Sequence, residues 1–303
     1  MAAAAGGPRI SRSTAPRPEQ TLILSITLGP IAISSGQLVL VVACGAGLAA
    51  AWGVDRAAGQ RPVHVLLDAV LLGLLAGRVA FVVQYFPEYQ GDPLAMIDIR
   101  DGGFLLPWGM AAASAFVGWW LWRTPTLRRS ILSGVAAGTA TWALAAGTIA
   151  LLDTQDRRLP ETTLTTLDGE AVALPDYAGA PLVVNLWATW CPPCRREMPV
   201  LEAARERHPD VTFVFANQGE TADTVRAYLE AEDLALEHVL LDPRRTVGEA
   251  VGSRGLPTTL FYGAGGGLVD AHLGPLSRAS LAQGLDRLRT APRPAATRQQ
   301  PME

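Results

Sequence analysis

Four long segments of this chain carry almost no charge, and they decide what it can fold into. Gly36 to Val54, Phe104 to Trp122 and Ser130 to Leu152 contain no acidic or basic residue, and Val63 to Phe86 contains only Asp68 and Arg78. A hydrocarbon core of ~30 Å takes a helix of about 20 apolar residues to cross. Inside lipid the backbone must satisfy its own hydrogen bonds, which favours helices. The first half therefore reads as an α-helical membrane domain of about four transmembrane helices. Thr21 to Ile33 is apolar too, but it is short and broken by Gly29-Pro30. It has neither the length of a span nor the small-residue cleavage site of a signal peptide.

Charge becomes dense after Leu152. The 303 residues are 49% hydrophobic and only 17% charged, with mean hydropathy +0.22, whereas a soluble chain usually carries about 25% charge. The expected organisation is a disordered tail over 1–20, a membrane anchor over 21–154, a soluble domain over 155–290 and a second tail over 291–303. A net charge of −3 provides no basic stripe for nucleic acid. All 25 basic residues are arginine.

The loops between the spans set an orientation. Arg56 and Arg61 follow the first span, and Arg123, Arg128 and Arg129 follow the third. The loop after the second span carries Glu88, Asp92, Asp98 and Asp101 against Arg100 alone. Arginine-rich short loops stay in the cytoplasm, so both chain ends face outward. Arg9, Arg12 and Arg17 in the first tail point the other way and are outvoted. The expected location is the bacterial inner membrane, multi-pass, with the soluble domain in the periplasm. Gly73/Gly77 and Gly134/Gly138 have the spacing of close helix packing. Cys44 lies alone in the first span and reads as a small hydrophobe.

The soluble half alternates strand and helix signals. Strands are expected at Pro181–Trp187, Val211–Ala216, Leu236–Leu241, Thr258–Tyr262 and Leu268–Leu273. Helices are expected from Pro192 to about Arg207, from Thr221 as cap to about Glu232, over Pro243–Val251, and from Ser277 as cap to about Leu288. That order gives an α/β sandwich around one sheet.

The chemistry sits at a strand-to-helix junction, Trp190-Cys191-Pro192-Pro193-Cys194. Cys191 falls at the helix start, where unpaired amides and the helix dipole favour a thiolate. Arg195 and Arg196 add positive charge. Cys194 lies one turn further in, within reach of a mixed disulfide on Cys191. Pro192 and Pro193 suit a first turn that has no amide bonds to lose. A zinc site would need a second Cys or Cys/His pair. Cys44 lies in the membrane, and His208, His238 and His272 are not paired in sequence, so no metal is expected.

Val183 to Glu202, VVNLWATWCPPCRREMPVLE, resembles the active-site segment of the thioredoxin superfamily, and within it the membrane-tethered TlpA/ResA-like disulfide reductases. The resemblance runs from about Leu159 to Leu288 and implies a thioredoxin fold. Pro199 matches the family's helix-kinking proline. Gly255-Leu256-Pro257-Thr258-Thr259 resembles the loop bearing the family's cis-proline, which implies substrate contact at Leu256 and Pro257, beside Trp190. Asn185 replaces the buried Asp of thioredoxins proper. Glu197 matches an acid implicated in ResA-like members, which implies a general base for Cys194, against the plain alternative of a solvated first-turn glutamate.

Leu28-Gly29-Pro30-Ile31, Gly77-Arg78, Phe86-Pro87-Glu88-Tyr89 and Asp101-Gly102-Gly103 resemble the N-terminal part of prolipoprotein diacylglyceryl transferases, over roughly Ile26 to Leu152. Pro107-Trp108-Gly109 stands where that family carries His-Gly-Gly, and its later spans are absent, which argues against transferase catalysis. Arg78, an ionisable residue inside a span, is a candidate contact for a lipid phosphate; the alternatives are snorkelling to the interface or pairing with a loop acid.

These readings converge on a membrane-anchored periplasmic thiol:disulfide oxidoreductase, acting as a reductant of disulfide-bearing proteins without metal or organic cofactor. The expected partners are those proteins, a membrane electron donor with its own cysteine pair, and lipid. Two other functions compete: a lipid-modifying transferase, and a copper-handling or chaperone module using the thiols only to bind.

Overall fold

The computed structural model describes residues 25–28, 31–54, 61–152 and 158–291. The tail 1–20, the loop bearing Arg56 and residues 292–303 lie outside the described residues. The apolar segment broken at Gly29-Pro30 forms two antiparallel strands, β1 (Ser25–Leu28) and β2 (Ile31–Ser34). Four helices follow: α1 (Ser35–Val54), α2 (Arg61–Gln84), α3 (Leu106–Arg123) and α4 (Arg128–Leu152). Each coincides with one of the nearly chargeless segments, because an apolar run without water satisfies its amides only as a helix.

Three stretches are long and apolar enough to cross a membrane: Ser35–Val54, Pro62–Gln84 and Pro125–Leu151. Helix α3 is not among them. It has 18 residues, and its four tryptophans, Pro107 and Arg123 lower its hydropathy below that of the others.

The helices pair through small residues. A Cβ on Gly47 of α1 would lie 2.8 Å from the carbonyl oxygen of Gly134 in α4, and one on Gly109 of α3 would lie 2.7 Å from that of Gly73 in α2. Gly138 meets the Ala43 carbonyl and Gly77 that of Leu105 in the same way, at 3.1 and 3.3 Å from an added Cβ. Both glycine pairs read from the sequence therefore mark backbone contact, where dispersion between close helices replaces a hydrophobic driving force.

The second half is a thioredoxin-fold α/β domain built on one seven-stranded sheet. Its strands are β3 (Thr163–Thr166), β4 (Ala171–Ala173), β5 (Leu182–Trp187), β6 (Thr212–Gln218), β7 (Val239–Asp242), β8 (Thr258–Tyr262) and β9 (Leu268–Leu273), in the order β4-β3-β7-β6-β5-β8-β9. Strands β5, β6 and β7 run parallel, and the remaining pairings are antiparallel. Side chains alternate across a strand. Val183 and Trp187 of β5 therefore join Phe213 and Phe215 on one face, under α5 (Pro192–Arg207), α6 (Ala222–Ala231) and α8 (Arg278–Thr290). Leu182, Val184 and Leu186 join Val214 and Ala216 on the other, under α7 (Thr246–Ala250). Burial on both faces is why β5 is apolar at every position except Asn185.

Three local expectations change. Strands β3 and β4 were not read from sequence, although Asp168-Gly169 between them has the signature of a hairpin turn and Gly169 takes φ +89°. Thr221 precedes α6, but its hydroxyl partners the Thr224 hydroxyl at 3.0 Å and caps no amide. The helix expected over Pro243–Val251 shrinks to α7, since Arg245 turns into the left-handed region at φ 57°. There the buried Asp242 carboxylate caps the amides of Thr246 and Val247 at 2.8 and 2.9 Å. Ser277 does cap α8, accepting from the Ser280 amide at 3.1 Å.

The two halves meet along a seam. Phe81 of α2 and Tyr85 and Tyr89 of the following turn pack against Ala279 of α8. The Tyr85 hydroxyl reaches Asp286 at 3.3 Å. Asp101, in the loop between α2 and α3, accepts from the Ser277 hydroxyl at 2.8 Å, and its carbonyl accepts from the Ser280 hydroxyl at 2.8 Å.

Candidate active site

Strand β5 ends at Trp187 and α5 starts at Pro192, so the intervening loop delivers Cys191 to the helix start. Cys191 is the N-cap residue, and its sulfur accepts from the Cys194 amide at 3.4 Å. That amide is one of the orphan donors of a first turn, and it stabilises negative charge on the Cys191 sulfur. Here the two sulfurs are joined as a disulfide. Both cysteines are buried, Cys191 at 3% exposure and Cys194 at 0%. Trp190 beside them is 59% exposed and forms the projecting rim.

Glu197 lies three residues beyond Cys194, on the same face of α5. It is 1% exposed, which removes the solvated-glutamate alternative. The Asn185 amide group donates to one carboxylate oxygen at 2.8 Å and the Leu276 backbone amide to the other at 2.9 Å. Burial pushes the Glu197 pKa up to about 7, against the opposing pull of those two bonds. Asn185 also donates to the Thr259 hydroxyl at 3.0 Å. The residue that replaces the thioredoxin Asp is thus the one that holds Glu197.

Leu256 and Pro257 are joined by a cis peptide bond. The Pro257 carbonyl accepts from the Gly274 amide at 2.9 Å, and the Thr258 hydroxyl donates to the Gly255 carbonyl at 2.8 Å. Pro257 is buried and Leu256 half-buried. Among the described residues no three His, Cys, Asp or Glu side chains gather to hold a metal.

A family model described as Redoxin matches residues 154–285. Thioredoxin-like protein YneN of Bacillus subtilis is 31% identical over 136 residues, which cover 44% of this chain and 79% of that protein. The chain belongs to the Redoxin family. Thiol-disulfide oxidoreductase ResA of Geobacillus thermodenitrificans is 30% identical over 135 residues, 43% of this chain and 75% of that protein. The ResA of Halalkalibacterium halodurans is 29% identical over 128 residues, 42% of this chain and 72% of that protein. The Redoxin domain makes this chain a thiol-disulfide oxidoreductase.

Two expected contributors lie elsewhere. Arg195 does not turn its charge on the cysteines: it ion-pairs with Glu232 and stacks over the Tyr228 ring at 5.4 Å. Arg78 is buried, at 7% exposure, and all five of its donors are engaged on protein. Its Nε reaches the Met96 carbonyl at 3.2 Å; Nη1 reaches Asp101 and the Gly103 carbonyl at 2.8 and 2.9 Å; Nη2 reaches the carbonyls of Ala95 and Asp98 at 3.1 and 2.7 Å. No donor is left for a lipid phosphate, and the alternative of pairing with a loop acid is the one realised.

The sequence reading of the Redoxin domain overlooked Glu220. Its carboxylate accepts from the Thr189 amide at 2.8 Å, the Thr189 hydroxyl at 2.5 Å and Asn217 at 2.7 Å. It thereby clamps the loop two residues before Cys191. Nothing in the local pattern signalled this, because Thr189 and Glu220 sit on different strand-to-helix junctions.

Proposed function

We propose that this chain is a membrane-anchored, extracytoplasmic thiol:disulfide oxidoreductase that reduces protein disulfides through its Cys191-Pro-Pro-Cys194 pair. The observation that carries the reading is the pair at the start of α5 with buried Glu197 one turn behind it. The Cys191 thiolate attacks a substrate disulfide, forming a mixed disulfide and releasing the first substrate thiolate. The Cys194 thiolate then attacks the Cys191 sulfur, releasing the second substrate thiolate and forming the Cys191–Cys194 disulfide. Two electrons pass to the substrate. A dithiol donor, supplied by a membrane protein with its own cysteine pair, restores the reduced pair.

Glu197 receives the Cys194 proton in the resolving step. With its pKa at about 7, the base form grows in as pH rises through neutrality. Glu197→Gln should slow turnover near neutral pH by about 10²-fold, the low end for a lost general base, and flatten the pH–rate profile around 7. Stability moves the opposite way. A carboxyl raised from its ordinary value of 4.5 to about 7 binds its proton more tightly in the folded state, so the wild type should lose stability relative to Glu197→Gln as pH rises from about 4.5 to about 7 and level off above it. An unchanged profile in both measurements would remove Glu197 from the chemistry.

The anchor is residues 21–154 and the catalytic domain 155–290, with α3 crossing alongside the three more apolar spans. Support comes from its pairing with α2 through Gly73 and Gly109 and from the acidic loop between them. Four crossings return the chain to the side on which it began. The arginine-rich connections then lie in the cytoplasm and the catalytic domain outside. A reporter active only outside the cytoplasm, fused after Leu288, should be active. Activity of a cytoplasm-only reporter at that site would invert the arrangement and put the thiols in a reducing compartment.

A further inference from the structure

We propose that the membrane half docks the Redoxin domain through Asp101 and thereby holds the Leu276 amide on Glu197, making Asp101 a positioning residue for the disulfide chemistry. The inference rests on the role of Glu197 proposed above. The connection runs through named atoms. Arg78 and the Gly103 amide hold one Asp101 carboxylate oxygen at 2.8 and 3.1 Å. The other accepts from the Ser277 hydroxyl at 2.8 Å, and the Asp101 carbonyl accepts from Ser280 at 2.8 Å. Ser277 is at the same time the cap of α8. The residue before it, Leu276, donates its amide to Glu197 at 2.9 Å. One peptide unit therefore separates the membrane-loop contact from the carboxylate behind the cysteines.

The seam is built to resist displacement. Asp101, Arg78 and Ser280 are 5%, 7% and 6% exposed, so their bonds are not exchanged freely with water, and a buried acceptor that loses its donor is costly. Next to them Phe81, Tyr85, Tyr89 and Ala279 exclude solvent. Gly102 takes φ +65° and approaches the His272 ring, which an added Cβ would meet at 3.4 Å. His272 in turn contacts the Pro275 carbonyl at 3.3 Å. The membrane half therefore holds this segment by hydrogen bonds at its Ser277 end, while Gly102 only lies close to His272 at the other.

The groups around Glu197 are Asn185 from β5, Thr259 from β8, Cys194 from its own helix and the Leu276 amide; none is charged. The charged or titratable groups of the seam are Asp101 with Arg78 from the membrane half, Tyr85 with Asp286 of α8 at 3.3 Å, Glu88 with Arg207 of α5 at 3.7 Å, Asp270 of β9 paired with Arg287 of α8 at 2.6 Å, and His272, whose pKa burial pushes down. This gives the test a sign. Loosening the Leu276 amide removes a donor from the charged carboxylate and raises the Glu197 midpoint. Losing a negative charge at Asp101 would by itself lower it.

The test uses the full chain in lipid nanodiscs, with the Glu197 carboxyl titration followed by its infrared stretch and assigned by its absence in Glu197→Gln. The double variant Ser277→Gly, Ser280→Ala removes both hydroxyls from Asp101 but leaves the Arg78–Asp101 pair intact, and glycine replaces a serine cap at little cost. The midpoint should rise by about one pH unit, and the pH–rate profile should move with it. A midpoint unchanged or lowered in a folded double variant overturns the proposal. A midpoint that rises while Glu197→Gln has a wild-type rate profile overturns the role of Glu197 and with it that of Asp101 in catalysis, and leaves the docking geometry standing.

Discussion

Cys191→Ser should reduce disulfide exchange to the uncatalysed background, while Cys194→Ser should keep the first half-reaction and stall there. The difference follows from position. Cys191 caps α5 and accepts from the Cys194 amide at 3.4 Å, so charge on its sulfur is stabilised before any substrate arrives. A serine hydroxyl in that place has no accessible anion near neutral pH and forms no mixed disulfide. Cys194 is fully buried, and its only route to a substrate is through the sulfur already on Cys191. Without it the mixed disulfide has no intramolecular thiol to resolve it, and it should accumulate as a covalent adduct on a non-reducing gel that disappears with excess dithiol. Cys44 is free and lies in α1; Cys44→Ala should leave both results unchanged. Wild-type exchange by Cys191→Ser, or no adduct with Cys194→Ser, would sink this order of attack.

The parts of the site that were legible in the sequence were those set by contiguous residues. The Cys191/Cys194 pair, the buried β5 run before it and the Ser277 cap are local patterns, and local physics fixes them: the orphan amides of a first turn, alternation across a strand, a hydroxyl oxygen one turn before the amide that donates to it. The glycine pairs of the membrane half were legible for the same reason, since a four-residue spacing puts both on one helix face. What was not legible arises from distance in the chain. Asn185 became the holder of Glu197 because β5 and α5 are packed face to face. The Leu276 amide reaches the same carboxylate from 79 residues away. Arg78 leaves a lipid phosphate, the interface and a loop acid open as partners in the sequence, because nothing in a helical window reveals five loop oxygens folded over it. The turn signal at Asp168-Gly169 stands between strands that do not announce themselves, since β3 is short and rich in threonine and β4 has only three residues.

Arg78→Met should be among the most destabilising single substitutions in the membrane half. The guanidinium is held at 2.8 Å from Asp101 with both side chains out of solvent, and it gathers the carbonyls of Ala95, Met96, Asp98 and Gly103 into one closed loop. Removing one member of a buried pair leaves the other charge uncompensated, a loss of roughly 3–5 kcal/mol. The four carbonyls lose their donors as well. Lysine should rescue little, because it keeps the charge but offers three donors on a point cation in place of a planar fork. The double variant Arg78→Met, Asp101→Leu should recover much of the thermal stability, since an apolar pair of similar volume is often no worse than a buried ion pair. It should nevertheless raise the Glu197 midpoint, because Ser277 and the side chain at position 101 no longer meet. Thermal unfolding in nanodiscs measures the first effect and the Glu197 titration the second. A chain as stable with Arg78→Met as without it, but depleted of co-purifying phospholipid, would return Arg78 to the role of a lipid ligand.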